Sequence, residues 1–127
     1  MSLFGALGVS TTGMDTYQTW LNALGGNIAN MNDTVRTNQP VYQAQYVVAQ
    51  PLAAPAGSGG VGEGVGVAGV ALGPSTGTLV YDPSNPLADS KGMVRQPTVD
   101  LGEQMVELIE AQNGYQASVS AFTQART

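Results

Sequence analysis

The chain has 127 residues, the size of one domain, and only 10% of them are charged, well below the roughly 25% typical of soluble globular domains. Its net charge is −5 with four basic residues, which excludes the Lys/Arg patch that nucleic acid or an anionic membrane surface requires. The chain has no cysteine and no histidine, which excludes thiolate metal sites and the commonest general base near neutral pH.

The first segment carries apolar residues at alternating spacings of three and four, as in a coiled-coil seam. We predict a helix from about residue 10 to 30, capped by Ser10 or Thr11 and extended to the first residues in an assembly. Asn27, Asn30 and Asn32 fall off the seam, and because Asn accepts helix-ending conformations they are predicted to form a hinge. The seam positions are Leu7, Met14, Tyr17, Leu21, Leu24, Ile28 and Met31.

The middle of the chain has strand composition interrupted by turn residues. "PVYQAQYVVAQPL" (40–52) and "VGVAGVALG" (65–73) are rich in β-branched residues and predict two strands around a Gly-rich loop at 54–66. A short strand ending at Tyr81 is followed by a loop in which Pro83 and Pro86 disfavour regular structure. Its Asp, Asn and Ser side chains are expected to bond their own backbone.

The last segment repeats the helical pattern. Asp100 and Glu103 form a capping-box variant after Pro97, which predicts a helix from about 100 to 125. Its narrow apolar stripe favours pairing with the first helix or with copies from neighbouring subunits, and ordinary core packing is the alternative. The stripe consists of Leu101, Met105, Leu108, Gln112, Tyr115, Val119 and Phe122, with Ile109 beside it, and we expect Met105, Leu108, Ile109, Tyr115, Val119 and Phe122 to form the packing contacts.

The fold class predicted from these segments is α+β, with two long terminal helices pairing as a stem and a small β-rich insertion between them. We divide the chain into an N-terminal helical segment at 1–32, a central β-rich region at 33–98 and a C-terminal helix at 99–127. There is no basic region before the first apolar stretch, and no uninterrupted apolar run, so we expect neither a cleaved signal peptide nor a membrane span.

The patterns that suggest chemistry have simpler explanations. Residues 64–69 match G-x-G-x-x-G, but a strand and a proline follow where a dinucleotide site needs a helix. Glu103 and Glu107 could form an acid–base pair, but they are expected on a solvated face away from the seam. Asp82, Asn85 and Asp89 do not have the spacing of a calcium loop. We therefore predict no enzyme activity, no cofactor and no metal.

Both ends of the chain resemble a known family. "ALGVSTTGMDTYQTWLNALGGNIANMND" resembles the N-terminal signature of the bacterial flagellar rod, hook and filament axial proteins, and "EAQNGYQASVSAF" is similar to their C-terminal pattern. "YDPSNPLADSKGMVRQPTVDLGEQMVELIEAQNGYQAS" resembles the short members that form the proximal rod. The resemblance marks a motif loop and hinge made of Asn27, Asn30, Asn32, Tyr81, Asp82, Pro83, Pro86, Asp89 and Gly92.

This resemblance implies a structural role. The chain would be a subunit of the proximal rod of the flagellar basal body, which crosses the periplasm as a hollow drive shaft between motor and hook and continues the export channel. Its partners would be other copies, other rod proteins, the membrane-ring and export-gate end of the basal body, and the type III export apparatus during secretion. The alternatives are another short rod subunit or a non-enzymatic, export-linked binding module.

Overall fold

The computed structural model describes residues 3–52 and 64–126. In the order of the chain, one long helix precedes the four strands and another follows them, so the predicted α+β architecture is confirmed. Most of the predicted Gly-rich loop at 54–66 lies outside the described residues. In chain order the elements are α1 (Leu3–Asn30), β1 (Gln45–Pro51), β2 (Val65–Leu72), β3 (Thr78–Tyr81), β4 (Met93–Gln96) and α2 (Leu101–Arg126).

Helix α1 begins earlier than predicted, and the predicted cap is wrong. The Thr11 hydroxyl donates to the Leu7 carbonyl at 2.9 Å, and the Thr12 hydroxyl donates to the Val9 carbonyl at 2.7 Å. A Thr that bonds back to the preceding turn lies inside a helix, whereas a cap accepts from the turn that follows. No proline interrupts the chain before Ser10, so the helix continues to Leu3.

Helix α2 begins where the sequence indicates. The Asp100 carboxylate accepts a hydrogen bond from the Glu103 backbone N–H at 3.2 Å, and the Gln104 N–H closes the first turn on the Asp100 carbonyl. Asp100 is therefore the N-cap, and the predicted start of this helix is confirmed.

The two helices pack side by side and run antiparallel. Gly13 of α1 lies against Ser118 of α2, and Gly114 lies against the ring of Tyr17. Further along α1, Asn27 is hydrogen-bonded to Gln104. The same number of residues separates Gly13 from Asn27 as separates Ser118 from Gln104, so one register holds along the whole pair.

The strands form two separate antiparallel ribbons. In the first, β1 pairs with β2 with an irregularity between Val48 and Ala49, and this ribbon packs on α1. In the second, β3 pairs with β4, and an isolated bridge from Val35 to Arg95 adds a third segment. Strand β4 was not predicted, because it has only four residues and no alternation that its own sequence would reveal.

The core is small for a chain of this length. Its buried hydrophobic residues are Ala23, Leu24, Val41, Ala44, Val94 and Ala111, half of them alanine. Many larger apolar side chains are exposed, among them Ile109 at 56% and Val106 at 58%. The described chain therefore leaves more large apolar side chains outside than inside. Neither helix is long and apolar enough to cross a membrane.

Candidate functional site

The surfaces that α1 and α2 turn toward each other, called the contact face here, carry small and polar residues. A Cβ atom added at Gly13 would lie 2.7 Å from the Ser118 hydroxyl, and one added at Gly114 would overlap the ring of Tyr17. Glycine is therefore required where the helices come closest. The contact face consists of Gly13, Tyr17, Leu24 and Asn27 on α1, and of Gln104, Ala111, Gly114 and Ser118 on α2.

Asn27 lies at the centre of a buried hydrogen-bond network. Its side-chain amide donates to the Gln104 side-chain oxygen and to the Gln45 carbonyl, each at 2.9 Å. Its oxygen accepts from the Gln45 N–H at 2.8 Å and from the Tyr42 hydroxyl at 3.0 Å. Asn27 is fully buried and Gln104 is 1% exposed. One side chain thus joins α1, α2, β1 and the segment before β1.

Tyr42 supports this network from the side of the β region. Burial raises the pKa of the Tyr42 hydroxyl, so the group stays protonated and can donate to Asn27. The strand predicted at 40–52 includes Tyr42. In the structure β1 begins only at Gln45, and Tyr42 precedes it.

The expectation that Asn27 lies off the seam is wrong. A heptad count places Asn27 beside the stripe of large apolar residues, but in the structure Asn27 lies in the contact with α2, next to Leu24 of that stripe. Asn30 and Asn32 fit the helix-end interpretation better. The Asn30 amide donates to the Gly26 carbonyl at 2.8 Å in the last turn, and Asn32 is exposed in the turn that follows.

The contact stripe of α2 is shifted by one residue from the predicted stripe. The predicted Met105, Ile109 and Val119 are 45%, 56% and 37% exposed, whereas Gln104 and Ala111 are buried. Leu108, Tyr115 and Phe122 are half-buried at the edge that the two stripes share. A search for large apolar residues passes over this contact, although Gln104, Ala111 and Ser118 recur every seven residues, as a helix seam requires.

On α1 the predicted stripe is divided by the contact with α2. Tyr17 and Leu24 lie on the contact face, and Met31 follows the end of the helix. The side chains of Thr12 and Thr16 bond Val65 of the β1–β2 ribbon. At about 100° per residue, the remaining positions of the stripe fall on the third side of the helix, beyond α2 and away from the ribbon. These positions are Leu7, Met14, Leu21 and Ile28, and all four are half-buried.

Because the helices are antiparallel, the two displaced stripes lie on the same side of the pair. Helical geometry places the predicted stripe of α2 on the flank away from the ribbon, next to the predicted stripe of α1. We call this surface the open face. It consists of Leu7, Met14, Leu21 and Ile28 with Met105, Leu108, Ile109, Tyr115, Val119 and Phe122, and none of these side chains is charged.

The acidic residues of α2 lie on the opposite flank, toward the ribbon. Burial raises the pKa of Glu107 above its ordinary value, and the carboxylates of Glu103 and Glu110 raise it further. One Glu107 carboxylate oxygen is buried without a hydrogen-bond partner. The expected solvated position is therefore wrong for Glu107, because the side chain lies beside the contact face. Glu103 and Glu110 are exposed as expected.

Within residues 3–52 and 64–126, no three acidic residues come together as a metal site would require. A cleft of about 230 Å³ lies between α1 and the ribbon and is lined mainly by apolar groups. Trp20, Tyr17, Val47 and Val65 are among its walls, and it contains no acid–base pair.

Comparison with known proteins decides the family. The chain is 35% identical to the flagellar basal-body rod protein FlgC of Yersinia enterocolitica, over all of this chain and 92% of that protein. It is 34% identical to FlgC of Escherichia coli O6:H1 over the same shares, and 32% identical to FlgC of Bacillus subtilis over 96% of this chain and 90% of that protein. The chain belongs to the FlgC family of flagellar basal-body rod proteins.

A family model agrees with this assignment for the end of the chain. Residues 90–127 match the model described as "Flagellar basal body rod FlgEFG protein C-terminal". In this chain, residues 90–127 include β4 and all of α2. The match therefore covers the helix that supplies half of the contact face and more than half of the open face.

The FlgC-like motif loop between β3 and β4 is held by its own turn chemistry. The Asp89 carboxylate accepts from the Met93 and Lys91 N–H groups, each at 2.9 Å, and the bond from Met93 is the main cause that lowers the pKa of Asp89. The Asp82 carboxylate accepts from the Ser84 hydroxyl at 3.0 Å. These bonds confirm the prediction that polar side chains of this loop bond locally.

Gly92 closes the motif loop. Its φ is +75°, and an added Cβ would lie 2.9 Å from the ring of Tyr81 and 3.1 Å from Pro83. Glycine is therefore needed both for the backbone conformation and for the close approach. Pro86 and the Tyr81 side chain are exposed. The hydrogen bonds of Asp82 and Asp89 stay within the loop, whereas those of Asn27 go to Tyr42, Gln45 and Gln104.

Proposed function

We propose that the chain is a structural subunit of the proximal rod of the flagellar basal body, and that its open face is the surface that packs against neighbouring subunits. Membership of the FlgC family supports the rod assignment. The assignment of the interface rests on the position of the open face. Its ten large apolar side chains, none of them charged, lie together on one flank of the helix pair.

The free energy of apolar burial favours packing of a neighbouring subunit against the open face in the assembled rod. Full burial of a large apolar side chain contributes roughly 1.5–3 kcal/mol, and the exposed Met105, Ile109 and Val119 retain a large part of that contribution for a later contact. An exposed apolar patch of this kind marks a protein–protein contact in soluble proteins. A helical assembly supplies such a contact many times, because each subunit meets equivalent neighbours.

The finer parts of this proposal follow from the family resemblance. The polymer would be a hollow shaft that transmits torque from motor to hook and continues the export channel. The chain would pass through the type III export apparatus without a cleaved signal peptide and then meet other rod proteins and the membrane-ring end of the basal body. Its role would be mechanical rather than enzymatic. The covered contact face, the small core and the absence of an acid–base pair from the described cleft suit that role.

The test is deletion of the gene in its flagellated host, followed by electron microscopy of isolated basal bodies. We expect the membrane ring to remain and the rod, hook and filament to be missing, because a proximal subunit must be present before the distal parts can polymerise. Expression of the full chain from a plasmid should restore all three structures and swimming.

Two other results would contradict the proposal. A complete rod lacking only its hook would place the subunit further along the axis. Normal basal bodies with impaired secretion, together with a one-to-one complex between the chain and an export component, would support an export-linked binding module instead.

A further inference from the structure

We propose that Asn27 sets the register of the α1–α2 pair and links that register to the docking of the β1–β2 ribbon. This inference concerns the chain itself and goes beyond the proposed assembly. It rests on the placement of one fully buried amide whose oxygen and both amide hydrogens are used in four bonds to three other parts of the chain.

The rest of the contact face constrains the register mainly at one close contact. Gly13, Gly114, Ala111 and Ser118 present a shallow surface, and the ring of Tyr17 lies over Gly114. After a slip of seven residues the ring would meet Ala121 instead, so Tyr17 would have to rotate away in that register. Apolar and small residues repeat at heptad spacing on both helices, so a slip of seven residues would again bring similar residues together.

Asn27 distinguishes the two registers. After a slip of seven residues toward the end of α2, Asn27 would face Ala111, which offers no side-chain acceptor. One amide hydrogen would then remain buried and unpaired, and Gln104 would lose its partner beyond the end of α1. Leaving a buried donor unpaired disfavours a state by roughly tenfold or more. Single buried Asn residues fix register in coiled coils for the same reason.

The remaining hydrogen bonds of Asn27 link the register of the helices to the position of the β1–β2 ribbon. Its oxygen and one amide hydrogen hold the N–H and C=O of Gln45, the first residue of β1. An amide rotated by 180° would place its NH2 against the Gln45 N–H and its oxygen against the Gln45 carbonyl, so a single orientation of Asn27 serves both α2 and β1. Trp20, the single tryptophan of the chain, lines the cleft against Val47 and Val65 and reports whether the ribbon is docked.

Disulfide trapping tests this directly, because the chain has no cysteine. The native-register pair is Gly13→Cys with Ser118→Cys, since an added Cβ at Gly13 lies 3.5 Å from the Ser118 Cβ, within the range for a disulfide. The slipped-register pair is Gly13→Cys with Ala125→Cys. Its cysteines lie about 10 Å apart along the axis in the native register and meet only after the slip of seven residues.

Both pairs are placed in the full-length chain with Asn27 intact, with Asn27→Leu and with Gln104→Leu. Asn30→Leu is the matched control, since Asn30 bonds only its own helix at Gly26. The dilute chain is oxidised mildly, and intramolecular disulfides are measured by peptide mass spectrometry. With Asn27 intact or with Asn30→Leu, we expect the native-register disulfide to exceed the slipped one by at least roughly tenfold.

We expect this ratio to fall severalfold with Asn27→Leu and with Gln104→Leu, and the close contact of Tyr17 with Gly114 to account for the preference that remains. The Trp20 emission should shift to longer wavelength in the slipped, trapped chain as the ribbon leaves the cleft. An unchanged ratio with Asn27→Leu would overturn the proposal, as would comparable yields of both pairs with Asn27 intact. If neither pair forms in either leucine variant, the network is needed for pairing itself and does not select a register, which also overturns it.

Discussion

The contact face and the open face of the helix pair carry different kinds of side chain. Between the helices lie Gly13, Gly114, Ala111 and the hydrogen-bonded Asn27 and Gln104, with Tyr17 and Leu24 beside them, whereas most of the large apolar side chains of the pair lie on the open face. Core packing usually buries the large apolar side chains first. This distribution is what we expect of a helix pair whose open face packs against a neighbouring subunit.

Each face has a separate physical task in this arrangement. The contact face brings the two helix backbones close together and fixes their alignment, but its small residues remove little apolar surface from water. The chain alone should therefore be only marginally stable, as its alanine-rich core also indicates. If a second subunit covers the open face as proposed, that face would contribute its remaining apolar burial in the assembly.

Placing a charge on the open face should have the largest effect. Ile109→Asp puts a carboxylate in the proposed interface, where burial in the assembly would cost several kcal/mol. We expect loss of swimming and loss of the rod in electron micrographs. The free energy of unfolding of the isolated chain should change by less than about 0.5–1 kcal/mol, because Ile109 is 56% exposed there.

The matched control for this variant is Asn113→Asp. It adds the same charge one turn further along α2, at an exposed position outside the open face. Swimming should be retained. Normal motility with Ile109→Asp would show that the open face is not an interface, and equal loss with both variants would show that charge anywhere on α2 is harmful.

A change on the contact face should act on the chain itself. Gly114→Val would force a branched side chain into the ring of Tyr17, and overpacking of this kind costs about 1–3 kcal/mol. We expect the urea midpoint of helix loss, followed by circular dichroism, to fall clearly. Gly8→Ala is the matched control, since an added Cβ at Gly8 meets no atom within 4 Å and alanine favours the helix by about 1 kcal/mol.

A second substitution can distinguish a clash between Gly114→Val and Tyr17 from a loss of helix propensity in α2. Combining Gly114→Val with Tyr17→Leu should recover part of the lost stability, because the smaller partner makes room for the added side chain. If the two changes are simply additive, then close approach at Gly114 does not limit the packing of the helices.

The comparison of the two faces also shows what the sequence could and could not reveal. The heptads predicted both helices, because periodicity is a local property, and Asp100 revealed the start of α2 through its cap. They did not predict which stripe forms the helix contact, since hydrophobicity alone ranks Met105 above Gln104 and Val119 above Ser118. Which stripe forms the contact depends on how closely the two helix backbones can approach. Gly13 of α1 and Gly114 of α2 permit that approach, and their effect depends on residues of the other helix.

Long-range polar contacts were equally hidden. Asn27 resembled a helix-end asparagine because its partners, Tyr42, Gln45 and Gln104, are spread over much of the chain. Strand β4 was missed for a related reason, since its pairing with β3 depends on the turn held by Asp89. The residues of the motif loop bond locally, and there the prediction from sequence was confirmed.

The smallest expected effect concerns the flank of α2 that faces the ribbon. Glu107 has a folded-state pKa above its ordinary value of 4.5, because burial and the neighbouring Glu103 and Glu110 disfavour its charge. Because folding raises this pKa, protonation of Glu107 stabilises the folded chain. That stabilisation is complete below the unfolded-state pKa and is lost as the pH rises through the folded-state pKa. At pH 7 the ionised carboxylate therefore weakens the fold.

Glu107→Gln removes this charge at every pH. We expect a gain of about 0.5–1 kcal/mol in the free energy of unfolding at pH 7, from relief of two like-charge contacts along the helix, and almost no gain at pH 4. Thermal melts of the helix signal at both pH values measure the difference. Glu103→Gln is the control: its carboxylate is exposed in the first turn of α2, where a negative charge favours the helix, so this change should give no comparable gain. An equal gain from Glu107→Gln at pH 4 and pH 7 would show that shape, and not charge, governs this position.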